Sequence, residues 1–156
     1  MFVTLDEAHR LANSLLKEHG LADWTFKFDR AKRRFGCCNY SIHTISLSRD
    51  LTRLNSKAEV RDTLLHEIAH ALTRGNGHGP AWRAKCLELG ARPERYYASK
   101  VAQPAPNYLL ECPSCDLQVP RMRRSKRALY CRRCYKRQGA VDEAFRLRFR
   151  TLRGSS

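Results

Sequence analysis

Four of the seven cysteines fall into two Cys-x-x-Cys pairs, Cys112/Cys115 and Cys131/Cys134, with fifteen residues between them. No other feature restricts the chain as much. Each pair makes a knuckle that presents two thiolates to one ion, and four thiolates close a tetrahedral structural Zn²⁺ site. The surrounding segment is expected to fold as a small zinc ribbon, with Leu109 and Leu110 before the first knuckle and Leu129 and Tyr130 before the second in short strands. An odd cysteine total, with no basic stretch followed by an apolar one at the start, argues against an exported disulfide scaffold, so a reducing, cytoplasmic setting is expected. Cys37, Cys38 and Cys86 read as inert neighbours in strands and a helix.

The ribbon is strongly basic. Arg121, Arg123, Arg124, Lys126 and Arg127 lie between the knuckles, and Arg132 and Arg133 lie within the second, with Tyr130 and Tyr135 interleaved. Residues 105–156 hold 13 Lys and Arg against 4 Asp and Glu, so a third of the chain carries more than half of the formal net charge of +15. Clustered cations neutralise phosphates and aromatic rings stack on exposed bases, which makes nucleic acid the expected partner of these residues. Phe145, Leu147 and Phe149 alternate with Arg146, Arg148 and Arg150, the pattern of a last strand that completes the ribbon sheet or lies along DNA.

A Pro-rich stretch over residues 102–107 separates this module, residues 108–156, from a first domain over residues 1–101. Hydrophobic residues are 42% of the chain, enough for a core, and no run approaches the roughly 18 apolar residues of a membrane span. In the first domain, Thr4 and Glu7 have capping-box spacing and Ala8, Leu11, Ala12, Leu15 and Leu16 recur at helical intervals, predicting a helix over about 4–19. Trp24, Phe26 and Phe28 alternate as in a strand, and two more extended runs, 35–40 and 43–48, complete a small sheet. Ser56-Lys57-Ala58-Glu59 opens a second helix carrying Val60, Leu64, Leu65, Ile68, Ala69 and Leu72, with a stop at Gly75. Pro80 opens a third, carrying Trp82 and Leu87 and ending at Gly90. The fold class is α+β: helix, three strands, two helices, then the ribbon.

Within the second helix stands His66-Glu67-Ile68-Ala69-His70. Four residues turn a helix by about 400°, which leaves the two imidazoles about 40° apart and about 6 Å along the axis, able to grip one ion. Glu67 then lies beside the ion, the place of a general base for an activated water. A catalytic zinc takes three protein ligands. Two candidates exist for the third: His78, on a loop that Gly77 and Gly79 allow to fold back, and Glu88, on the next helix. The chemistry is metal-assisted peptide hydrolysis. A strand around 43–48, if it lies at a sheet edge, would accept an extended substrate chain.

Asp62-Thr63-Leu64-Leu65-His66-Glu67-Ile68-Ala69-His70, then His78-Gly79-Pro80-Ala81-Trp82 and Leu89-Gly90, resemble the SprT-like metalloprotease family, the family of Spartan. Ile45-Ser46-Leu47-Ser48 and the C-terminal ribbon are similar to that family too. The resemblance implies a zincin-like domain, a catalytic zinc on His66, His70 and His78 with Glu67 catalytic, and a structural zinc on Cys112, Cys115, Cys131 and Cys134. It also implies a DNA-associated, nucleoid-bound protease that clears proteins trapped on DNA. Motifs that recruit the long eukaryotic members are not found, which favours a compact microbial or viral form. A competing reading is a nucleic-acid-binding adaptor whose first zinc is structural; it requires a fourth protein ligand beside the histidines.

Overall fold

The computed structural model describes residues 2–94 and 101–152. The chain divides into two compact units, Met1–Pro104 and Ala105–Ser156.

In the first unit the order is α1 (Leu5–Glu18), β1 (Thr25–Asp29), β2 (Gly36–Asn39), β3 (Thr44–Ser48), α2 (Arg49–Leu54), α3 (Lys57–Leu72) and α4 (Pro80–Leu89). The capping box before α1 is complete: the Glu7 N–H donates to Thr4 Oγ1 at 3.2 Å and the Thr4 N–H donates to the Glu7 carboxylate at 2.8 Å. Before α3 only half of it forms. The Glu59 N–H donates to Ser56 Oγ at 3.2 Å, but the Glu59 carboxylate accepts from Arg92 instead. Helix α2 was not expected, because six residues span too few turns for an apolar period to show. Its start is local all the same, since Ser48 caps it by accepting the Leu51 N–H at 3.2 Å.

The sheet has the order β1-β3-β2, with β1 parallel and β2 antiparallel to β3. This corrects the expectation for residues 43–48: β3 is the central strand, hydrogen-bonded on both sides and buried along its whole length. The edges are β1 and β2. A tight β2–β3 hairpin, with His43 in the left-handed region at φ 44° in its turn, takes one side of β3 and leaves the other for β1.

Helix α3 packs against α1, α4, β2 and β3. Val60, Leu64, Leu65, Ile68 and Ala69 are buried as their spacing predicts, but so are Thr63, His66 and Glu67, leaving little of its middle turns to solvent. Leu72 and Leu87, expected on inward faces, are exposed, because one closes the end of α3 and the other points away from Trp82 and Cys86 on α4. Helix α4 begins at Pro80 and stops at Gly90, whose φ of 77° is left-handed. Just beyond it Arg92 ties back to the first turns of α3: its N–H and its Nε each donate to the Asp62 carboxylate at 2.9 Å, and its Nη2 reaches Glu59 at 2.5 Å.

The second unit contains β4 (Tyr108–Glu111), β5 (Gln118–Arg121), α5 (Arg132–Gln138), a 3₁₀ turn (Glu143–Phe145) and β6 (Arg148–Thr151). Its sheet, β5-β4-β6, is antiparallel throughout. Two expectations are corrected. Leu129 and Tyr130 form no strand before the second knuckle; Tyr130 makes a single bridge to Arg146 and Cys131 occupies the N-cap position of the short helix α5, so the second pair straddles a helix start. The alternation of Phe145, Leu147 and Phe149 does not form one strand either, because Phe145 turns inward in the 3₁₀ turn and pairing with β4 begins at Arg148. The strand that remains, β6, completes the ribbon sheet. The buried centre is Cys112, Cys131, Cys134 and Phe145, flanked by Cys115, Leu117 and Leu147. None of the described helices is long and apolar enough to cross a membrane.

The Arg92 clamp is testable. Charge-assisted hydrogen bonds of this kind are worth about 1.5–3 kcal/mol when buried and less here, where the partners are half-buried. Replacing Asp62 by Ala is expected to cost about 1 kcal/mol, read in a thermal melt as a fall in Tm of roughly 4–8 °C. An unchanged Tm would show that the clamp does not hold α3 to the chain after α4.

Candidate active site and metal centres

Consecutive turns of α3 place His66 and His70 on one side of the helix, and the chain then turns back over residues 73–79 to bring His78 beside them. The turn depends on backbone that only glycine adopts without strain, at Gly75 (φ 84°) and Gly77 (φ 51°). The ligating nitrogens of the three histidines lie within 4.8 Å of one another, with His70 Nε2 and His78 Nε2 at 3.2 Å. Three imidazoles on one tetrahedral zinc, with bonds of about 2.0–2.1 Å, would hold their nitrogens about 3.3 Å apart, so the donor set fits the ion. Burial first, and the neighbouring imidazoles second, push His66 and His70 down to about 4, which keeps both rings neutral and their lone pairs available at ordinary pH.

Trp82 is the common backing of the three rings. It is fully buried, its ring centroid lies 4.7 Å from His66, 5.1 Å from His70 and 4.6 Å from His78, and its Nε1–H donates to the His66 carbonyl at 3.4 Å. Tyr40 holds the other end of the pair, its hydroxyl donating to the His70 carbonyl at 3.1 Å. The two hydrogen bonds hold the main chain of α3 at His66 and His70, and the packing of Trp82 limits where the rings can turn. Glu88, the other candidate third ligand, is on the exposed side of α4 and pairs with Lys85 at 2.6 Å. Among the described residues no fourth protein donor joins the three histidines, the arrangement of a catalytic rather than a structural site.

Glu67 is 5% exposed, on the same turn as His66. It borders a cavity of about 540 Å³ that the three histidines share with Arg33, Arg34, Gly36, Cys37, Cys38 and Tyr40. The far wall is therefore the edge strand β2 and the segments flanking it. Sequence reasoning missed this wall, since a four-residue strand with two cysteines carries no periodic signal and only the β2–β3 pairing brings it opposite α3. The cysteines there are neutral thiols: burial, then the charge of Glu67, pushes Cys38 up to about 12, and burial raises Cys37. Arg34 is held by Asp29 at 2.8 Å.

In the second unit the four sulfurs converge. Cys112 and Cys134 Sγ are 3.8 Å apart and Cys115 and Cys131 Sγ 3.6 Å, and all four lie within 4.8 Å of one another. Four thiolates at about 2.3 Å from one zinc would be about 3.8 Å apart, so this set fits as well. Burial opposes ionisation of Cys131, but the N–H groups of Cys134 and Arg133 at the start of α5 and bonds from Cys115 and Cys112 lower it to about 7. Arg137 donates to Cys134 Sγ at 3.3 Å.

The basic residues around this site differ in how they are engaged. Arg133 pairs with Asp116 at 3.3 Å, Arg121 donates to the Pro120 carbonyl, and Arg124 stands over the rings of Tyr108 and Phe149. Arg123, Lys126, Arg127 and Arg132 are exposed with no ion-pair partner among the described residues.

Comparison with known proteins adds to this geometry. A family model described as the SprT-like family matches residues 5–102. No curated protein matches the chain. Among solved structures, the metallopeptidase zymogen abylysin of Pyrococcus abyssi is similar over 51% of this chain and 75% of its own, at 18% identity and a TM-score of 0.44. The metallopeptidase zymogen jannalysin of Methanocaldococcus jannaschii is similar over 60% of this chain and 85% of its own, at 13% identity and a TM-score of 0.47.

The lowered histidines set a pH dependence for the protein stripped of metal. Unfolded, His66 and His70 bind protons near 6.5; folded, they do so only near 4. The unfolded chain thus holds more protons between those values, and stability falls as pH drops from about 6.5 to about 4. Thermal melts across this range are expected to show a shallower decline for His66→Gln than for the wild type. Parallel declines would mean that the buried histidines do not carry the effect.

Proposed function

The chain belongs to the SprT-like family, whose members are zinc metalloproteases, and from that premise we propose that it cleaves proteins held on DNA, covalently crosslinked ones included. In this reading His66, His70 and His78 hold a catalytic zinc and Glu67 is the general base. Cys112, Cys115, Cys131 and Cys134 hold a second, structural zinc. The basic ribbon residues bind nucleic acid, which would place the protein on the nucleoid in the cytoplasm. The observation that carries the proteolytic reading is the convergence of three imidazoles, with no fourth protein donor among the described residues, beside a buried carboxylate at an open cavity.

The division of labour follows from the residues. Bound at the histidines, Zn²⁺ supplies Lewis acidity, bringing the pKa of water from about 15.7 to about 7 and polarising a carbonyl. Glu67 takes the proton of the attacking water and then gives it to the departing amine nitrogen, so that amide and water become acid and amine. Its burial beside the cavity keeps the carboxylate directed at the reacting centre without reorganisation by solvent. Trp82 packs against the rings of α3, and Tyr40 holds the main chain of α3 at His70. On the ribbon, Arg123, Lys126, Arg127 and Arg132 are the cations with least to lose by turning to phosphates, whereas Arg133 would first have to leave Asp116.

Two measurements test the two halves. Glu67→Gln is expected to keep two zinc ions per chain and the affinity for DNA while lowering cleavage of a DNA-binding substrate protein by at least about 10³-fold; cleavage at the wild-type rate would remove Glu67 from the mechanism. For the ribbon, neutralising Arg123, Lys126, Arg127 and Arg132 together should weaken DNA binding and flatten its salt dependence. The slope of log K against log salt changes by about 0.9 for each duplex phosphate that is no longer neutralised. An unaltered slope would show that these residues do not meet phosphates.

A further inference from the structure

The wall of the cavity opposite α3 carries no side chain at the point where it meets Glu67. A Cβ placed on Gly36 would lie 2.6 Å from Glu67 Oε1, 2.7 Å from its Cγ and 3.0 Å from its Cδ, whereas ordinary contact begins near 3.4 Å. Nothing in the backbone asks for glycine there. Gly36 is not among the glycines in the left-handed region, and it pairs in regular antiparallel register with Leu47 of β3. The glycine is required by space, and the three atoms nearest to a Cβ there all belong to the Glu67 side chain.

Neither main chain can give way. The strand is fastened at Phe35, fully buried, whose carbonyl accepts the Ser48 N–H at 2.7 Å, and Leu47 opposite is fully buried too. Glu67 belongs to the buried stretch of α3, between the fully buried Leu65 and Ile68 and the three-histidine cluster. A methyl group at position 36 would therefore meet a fixed strand behind and a fixed helix ahead. The movable part is the Glu67 side chain, which has the cavity to swing into.

We propose that Gly36 is a positioning residue for the catalytic carboxylate: the bare backbone of β2 is the surface against which Glu67 rests, and it determines where Oε1 stands relative to the three histidines. The proposal rests on Glu67 being the general base. It assigns the edge strand a part in catalysis that its composition does not suggest, since the position is filled by the one residue type with no side-chain chemistry.

The test is a set of variants of the full, zinc-loaded chain, read by structure as well as by rate. In a crystal structure of Gly36→Ala, the Glu67 carboxylate is expected to be displaced by about 1 Å or more while His66, His70 and His78 keep their places. A misplacement of that size costs about 10²-fold in rate, so kcat falls by about that factor with KM and zinc content little changed. Combining Gly36→Ala with Glu67→Asp, which draws the carboxyl back by one methylene, should lose less activity than the product of the two single losses. If Gly36→Ala does not fold, Gly36→Ala combined with Glu67→Ala, which removes the clashing atoms, is expected to restore the zinc-loaded fold. Finding Glu67 undisplaced, kcat within twofold of wild type, or a double Ala variant that still fails to fold would each overturn the assignment. Because the carboxylate displacement is read without any turnover, it decides the role of Gly36 even if the chain proves to have a different activity.

Discussion

An imidazole and a carboxylate on consecutive residues, His66 and Glu67, lie 6% and 5% exposed at the middle of a helix that other elements surround. Polar groups in such a place cost several kcal/mol unless something compensates them, and the first unit is arranged around that compensation. Trp82 reaches from α4 to the His66 carbonyl and lies against all three rings. Tyr40 secures the His70 carbonyl, the loop after α3 returns His78 to its neighbours, and an open cavity keeps the Glu67 carboxylate in reach of water. Burial in turn keeps His66 and His70 neutral, so the feature that is costly for folding is the one that leaves their lone pairs open to a cation.

The two units use their donors differently. In the first, the histidines stand at the margin of a large apolar core running from Val3 through Phe35, Leu47 and Leu65 to Trp82. That core supplies its own hydrophobic driving force. In the second, the sulfurs make up most of the core, since beyond the cysteines only Leu110 and Phe145 are buried among the described residues, with Leu117 and Leu147 packed against the cluster. A unit of this size has too little apolar surface to offset its chain entropy, and an ion held by the four thiolates would turn its binding energy into folding energy. The same economy frees its outer surface for arginine and lysine, which a larger apolar core would have displaced.

Much of this was legible in the residues before any coordinates. The capping box at Thr4, the Pro80 and Gly90 punctuation of α4, and the i, i+4 spacing of His66 and His70 are local rules, and the structure follows them closely. The chain did not announce the short helices α2 and α5, because one or two turns leave no apolar period to detect. At the second knuckle, strand-like Leu129 and Tyr130 misled, and the structure puts the helix α5 immediately after Cys131.

Composition and spacing by themselves determined which atoms are available as donors, the helix that carries two of them, and the separation of a basic ribbon from the rest, since all of these depend on residues no more than a few positions apart. Only the tertiary structure decided that β3 is central, that β2 forms the wall facing α3, that His78 rather than Glu88 completes the cluster, and that Gly36 stands against Glu67. These are contacts between segments that are distant in the chain or sit on separate elements. They are encoded as complementary shapes and competing pairings rather than as periodic patterns, so they exist only once the elements have packed.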